Sequence, residues 1–337
     1  MFEVIVLFLG VSLLFYCLFA GADFGAGILE GFSSRKFREK GQKLTYDAIG
    51  PVWEANHIWL ILVVVILFMG FPKVYTTISV ALHIPITAML IGIVLRGCFF
   101  TFRHYDPIKG RSQRYYTGVF VFSSIATSLF LGIIAGAVTL GRINLETTNF
   151  IQGFISPWFN LFSFAVGIFA CCIFTFLAAV YLIGEAREED IRRIFLDQAI
   201  KSNVVTVIAG GFVFIAAQMD GLDLIELLWS HPLSAACLVL ATLSLPVLWF
   251  TLIKRNVIVP RLLAGFQVSM ILVAWLWMQY PVVINLTHGE DLTLHNTSAP
   301  DATLQMLGWA LIVGSMLILP ALFYLLKSFK WNQEQVH

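Results

Sequence analysis

The sequence predicts an all-α integral membrane protein, and three observations carry the prediction. Hydrophobic residues make up 59% of the chain and charged residues 12%, against roughly 45–50% and 25% in soluble domains. Apolar stretches long enough to cross a bilayer, about 20 residues each, recur along the chain. Lys and Arg gather in alternate connections between them. So few charges leave too little polar surface for a soluble fold, and the formal charge of +1 argues against a nucleic-acid reader, which needs a basic face.

Taken in order, the spans fall near 3–29, 51–71, 73–101, 117–140, 157–184, 201–218, 232–253, 261–281 and 303–327. The first opens with VIVLFLGVSLLFYCLFA (residues 4–20), which carries no charge, and ends in GADFGAG (21–27). No basic region or small-residue cleavage site precedes it, so it is expected to be retained. The second starts at Pro51, suited to a first helical turn. Runs one, three and five are long enough to tilt, and none alternates with the period of two that marks a barrel strand. The connection 282–302 is polar enough to cap the bundle, and its two N-x-[ST] matches, at Asn285 and Asn296, carry little weight because the pattern is short. Cys17, Cys98, Cys171, Cys172 and Cys237 all fall in apolar runs without C-x-x-C spacing, so neither a zinc site nor a disulfide framework is indicated.

Eighteen of the 21 Lys and Arg follow runs one, three, five and seven or lie in the C-terminal tail. By the positive-inside rule, the N-terminus is expected outside and the C-terminus in the cytoplasm, which requires an odd number of spans. Nine satisfies that. Counting at 1.5 Å per residue then places Asp23, Glu54, His57 and Arg96 in the cytoplasmic third of the membrane. Ionisable groups within spans are costly and mark function by default. Glu54 and His57, three apart, share a helix face beside Trp53 and Asn56. The G-x-x-x-G of Gly21 and Gly25 permits close helix packing, which buries Asp23 and calls for compensation by Arg96 or by protonation. His83 reads as mid-span with no histidine at matched depth, which disfavours haem held by this chain alone.

"GADFGAGIL", "AIGPVWEANHIWLI", "RGCFFTFR" and "SPWFNLFSFAVGIFACCIFTFLAAVYLIGEAR" resemble subunit II of cytochrome bd-type quinol oxidases. The W-[DE]-x-N-x-x-W-L core, Trp53 to Leu60 here, is the most specific part. The likeness is strongest over 20–105 and recurs over 117–187; beyond about residue 200 it is one of general hydropathy. The resemblance implies a single membrane domain of two four-helix bundles, about 1–145 and 150–282, plus a peripheral ninth helix at about 302–328. It implies a bacterial cytoplasmic membrane location and a partner, the haem-bearing subunit I, with small accessory membrane subunits and lipid around the pair. Haems b and d belong to that partner, quinol and oxygen are the substrates of the complex, and subunit II often holds a structural quinone. No catalytic or metal-ligating residue is expected here. The family's cytoplasmic proton route carries over to Asp23 and Glu54, with His57 beside them and Trp53, Asn56, Arg96 and Arg103 in support. Glu54 stands where many relatives have Asp, and His57 where some have an uncharged side chain. The competing class is a proton-coupled secondary transporter, which would place polar groups at broken helices near the midplane.

Overall fold

The computed structural model describes residues 1–33, 42, 44–46, 48, 50, 53–106, 111–186, 188–254 and 257–335; Pro51 and the side chain of Glu54 lie outside the described residues. The first span is α1 (Phe2–Phe15), a π-helical turn (Tyr16–Ala20) and α2 (Gly21–Phe32) in unbroken succession. Then come α3 (Trp53–Gly70), α4 (Pro72–Ala81), α5 (His83–Tyr105), α6 (Arg111–Leu140), the short α7 (Phe150–Phe154) and α8 (Leu161–Ile183). The chain continues through α9 (Glu189–Met219), the short α10 (Leu224–Ser230), α11 (Pro232–Ile253), α12 (Ile258–Gln279) and α13 (Asp301–Gln335). Among the described residues eight helices are long and apolar enough to cross a membrane, and the count reaches nine if the bent pair α3–α4 forms one span.

The predicted run 73–101 is two helices. The chain bends by 116° between α3 and α4 at Phe71, whose φ of −136° and ψ of 61° are not helical. Phe71 precedes Pro72, and the proline ring disfavours the α conformation in the residue before it. Leu82 breaks the chain again before α5 begins. His83 is therefore the exposed first residue of α5 rather than a mid-span group, with its Nδ1 2.9 Å from the Val80 carbonyl. Pro85 lies in the first turn of α5, where proline is tolerated. The run predicted at 201–218 begins twelve residues earlier, at Glu189, because the charged first turns of α9 extend the helix beyond its apolar part.

At the centre stands α8, with 56% of its apolar window buried against 22–39% for the other seven spans. It packs on α2, α6, α9 and α12. Two glycine contacts make this possible: a Cβ on Gly25 would overlap the Phe174 carbonyl, and one on Gly132 would sit 2.7 Å from the Gly167 Cα. Small residues let helices approach in lipid, where no hydrophobic force drives them together. By contrast α13 packs on α1 and α3 only at the edge.

Around these helices the core divides by height. One cluster, including Phe24, Phe174, Phe195 and Leu248, joins α2, α8, α9 and α11. Another joins Ile5, Phe71, Ile143, Trp158, Ile284 and Leu304, so the N-terminus, the α3–α4 bend and the 281–300 connection share one end. That connection is ordered by a short antiparallel pair, Val282–Ile284 with Leu292–Thr293. It is tied down by Ala299 N–H donating to Gly70 O (2.8 Å) and Asn285 Nδ2 to Thr139 O (2.9 Å). We call the other end, which receives the Lys- and Arg-rich connections, the basic end.

Candidate functional site

The GADFGAG stretch begins directly after the π-turn. Such single wide turns within α-helices are frequent at functional sites. Here the turn precedes the most buried part of the span: every residue from Asp23 to Glu30 is buried. Parallel to it runs α5, and two ion pairs join the helices in one register. Asp23 Oδ1 accepts from Arg96 Nη2 at 2.6 Å, and seven residues on along both helices Glu30 accepts from Arg103 Nη1 at 2.7 and 2.9 Å. Seven residues are two turns, about 10 Å of rise, so the pairs are stacked along the bundle axis.

The inner pair is shut away from solvent, with side chains 2% and 1% exposed. Arg96 also donates to the Asp23 carbonyl (Nη2, 3.0 Å) and to Ser124 Oγ (Nε, 3.2 Å). Its guanidinium lies between two rings, 4.9 Å from Phe120 and 5.2 Å from Phe24. Charge, hydrogen bonds and aromatic faces together meet the desolvation cost of this pair. Arg103 lies against the same Phe120 ring at 4.4 Å. Gln42 donates to Glu30 and, at 3.3 Å, to Thr117 Oγ1. Glu30 and Ser124 were not singled out from the sequence; the repeated spacing 23–30 and 96–103 was the signal that could have found Glu30.

Only one Asp23 oxygen is used. Oδ2 is buried and has no hydrogen-bond partner among the described residues, as is the case for Ser12 Oγ, Tyr16 Oη and His57 Nδ1. His57 lies beside Tyr16 and Phe24, at ring separations of 6.4 and 6.1 Å. Asn56 is buried, and Trp53 packs on Phe100 (5.7 Å) and against Gly97. The structure thus brings Asp23, Asn56, His57 and Arg96 together, puts Trp53 and Arg103 nearer the basic end, and describes only the backbone of Glu54, one turn before His57 on α3.

A cavity of about 360 Å³ opens beside Asp23, lined among others by Phe19, Ala22, Asn56, Ala178, Glu185 and Arg261. Glu185 and Arg261 form an ion pair of 2.9 Å, with side chains 39% and 29% exposed, and Arg261 also donates to the Tyr181 carbonyl. Neither residue stood out in the sequence, because each sits at a span end where a charge is ordinary. Among the described residues no group of three His, Cys, Asp or Glu is placed to hold a metal ion. The histidine rings are scattered: His83 meets Phe154, His104 stacks on Tyr46 and His295 on Phe2. The arrangement holds a buried, charge-compensated carboxylate beside a cavity whose lining also includes Asn56, Glu185 and Arg261.

The sequence matches the family described as Cytochrome bd terminal oxidase subunit II over residues 1–329. It is 28% identical over 164 residues to "Cytochrome bd ubiquinol oxidase subunit 2" of Bacillus subtilis, covering 48% of this chain and 47% of that protein. It is 25% identical over 184 residues to "Cytochrome bd-I ubiquinol oxidase subunit 2" of Escherichia coli strain K12, covering 52% and 46%. The matched stretches therefore span about half the length of these relatives. In fold the chain resembles "The structure of bd oxidase from Geobacillus thermodenitrificans", with a TM-score of 0.74, 19% identity and 98% and 99% of the two chains covered.

Proposed function

This chain belongs to the cytochrome bd terminal oxidase subunit II family, and on that premise we propose that it serves a quinol:oxygen oxidoreductase as the subunit that carries no haem. In this reading it supports assembly of the haem-bearing subunit I and supplies a route for protons from the cytoplasm to the site of oxygen reduction. The N-terminus lies outside and the basic end faces the cytoplasm. The helices form one membrane domain, with halves near 1–145 and 150–282 and a ninth helix beside them. Reducing oxygen to water consumes protons, and drawing them from the cytoplasmic side stores the energy as membrane potential.

The observation that carries the reading is Asp23. A carboxylate 2% exposed inside a spanning helix is expensive unless it is paired or functional. Arg96 satisfies one oxygen and leaves the other without a partner among the described residues. Held in this way, Asp23 receives a proton on Oδ2 without losing its place. Glu54 is the entry acid, with His57 and Asn56 following it along α3 toward the depth of Asp23, and Trp53, Arg96 and Arg103 in support. The distribution of the acids supports this over a transporter: Asp23 and Glu30 descend α2 toward one end rather than converging on the midplane.

The test is quinol-driven oxygen consumption by the purified complex carrying Asp23→Asn or Glu54→Gln, with haem content measured in the same samples. Slowed turnover at full haem content is expected for both. Wild-type turnover at full haem content sinks the proton role, and haem loss reassigns the residue to assembly.

A further inference from the structure

We propose that a second, hydrated inlet reaches Asp23 from the Glu185–Arg261 pair, separate from the entry at Glu54, with Glu185 as its outermost titratable group. The inlet rests on the reading of Asp23 as a proton-carrying acid and adds a mouth to it.

Geometry is the first support. The same cavity is lined by Glu185 and Arg261 at the basic end and by Asp23 and Asn56 within the bundle. Asp23 lies nine residues before the end of α2, about 14 Å in at 1.5 Å per residue. Glu185 follows the end of α8 and Arg261 sits in the first turn of α12, so the cavity bridges a depth that no single side chain spans. At about 30 Å³ per water, 360 Å³ holds a chain of several waters.

The lining is the second support. Small side chains, Ala22, Ala26, Ala48 and Ala178, are among those that line the space, and a larger residue at any of them would narrow it. Polar partners for water stand at both ends. Asp23 and Asn56 line its inner part, and Glu185 and Arg261 line its mouth. A cavity with polar residues on its wall can hold water, whereas a wholly apolar one stays dry. Arg261 grips the Tyr181 carbonyl and Glu185 Oε1 together. It is a positioning residue that keeps the Glu185 carboxylate at the mouth.

The proton path follows. A proton from bulk water binds the Glu185 carboxylate, passes along the cavity water and arrives on Asp23 Oδ2, while Oδ1 stays on Arg96. Glu185 is then restored as a carboxylate for the next proton.

Access is tested in the assembled complex with a membrane-impermeant trimethylammonium methanethiosulfonate. Ala178→Cys, facing the cavity, is compared with Ala179→Cys, its buried neighbour outside the lining, over the background of the unmodified complex. The inlet predicts labelling at position 178 faster by about tenfold or more, since reaction needs a hydrated thiolate. Equal, slow labelling at both positions overturns the inlet whatever Asp23 does. Use is tested by adding Glu185→Gln to Glu54→Gln, which should slow oxygen consumption beyond Glu54→Gln alone. An unchanged rate makes the cavity a dead end and overturns the inlet. If Asp23→Asn alone turns over like the unmodified complex, the proton-carrying reading fails instead, even where position 178 labels rapidly.

Discussion

The two halves of the first span make opposite use of the same helix. Residues 2–15, FEVIVLFLGVSLLF, are the more apolar half, yet only Ile5 and Ser12 are buried. Residues 21–32, GADFGAGILEGF, contain four glycines and two carboxylates, and nine of the twelve are buried. Leu7 stands 64% exposed where Asp23 is at 2%. In water this order would be inverted. In lipid an exposed leucine costs nothing, so burial is decided by which residues let helices close up and by which need shelter from hydrocarbon. The π-turn at Tyr16–Ala20 lies where one regime gives way to the other.

Four substitutions break or sharpen that contrast. The largest effect is expected for Arg96→Met, which leaves Asp23 buried without its cation. Removing one partner of a buried pair costs about 3–5 kcal/mol, so the complex should fail to accumulate or lose much of its thermal stability. Asp23→Asn combined with Arg96→Met should recover part of the loss. No recovery would mean that Arg96 acts through packing on Phe24 and Phe120 rather than through charge.

Gly25→Ala comes next. Its Cβ would strike the Phe174 backbone, and backbone cannot rotate aside, so α2 must move off α8 at about 1–3 kcal/mol. The midpoint of heat-induced haem release from the complex reads this directly. Gly10→Ala, in the other half, is the smallest: a Cβ there meets nothing within 4 Å. Its midpoint should move by no more than about 0.5 kcal/mol equivalent, and equal shifts at positions 10 and 25 would abolish the distinction between the halves.

The fold was largely legible because lipid imposes a length and a composition on every span. Counting alone put Asp23 and Arg96 at one depth, each about the same distance from the basic end of its helix, and left pairing and protonation as alternatives that the structure resolves to an ion pair. Glu30 and Arg103 repeat that spacing, yet Glu30 escaped notice because a carboxylate near a span end is unremarkable by itself. His83 was misplaced for a local reason, since the apolar run 73–101 conceals the break at Leu82 that starts a new helix. Glu185 and Arg261 were out of reach, being 76 residues apart on helices that share no sequence pattern.

By itself the sequence determined the class, the alternation of basic and other connections, and the need for Asp23 to be compensated, by Arg96 or by protonation. Hydropathy and charge act locally and leave a mark residue by residue, so they survive in one dimension. The tertiary structure alone decided which oxygen of Asp23 Arg96 takes, which helix Gly25 admits, and that a cavity joins Glu185 to Asp23. Those depend on the relative depth and rotation of helices far apart in the chain, which packing sets and local pattern does not.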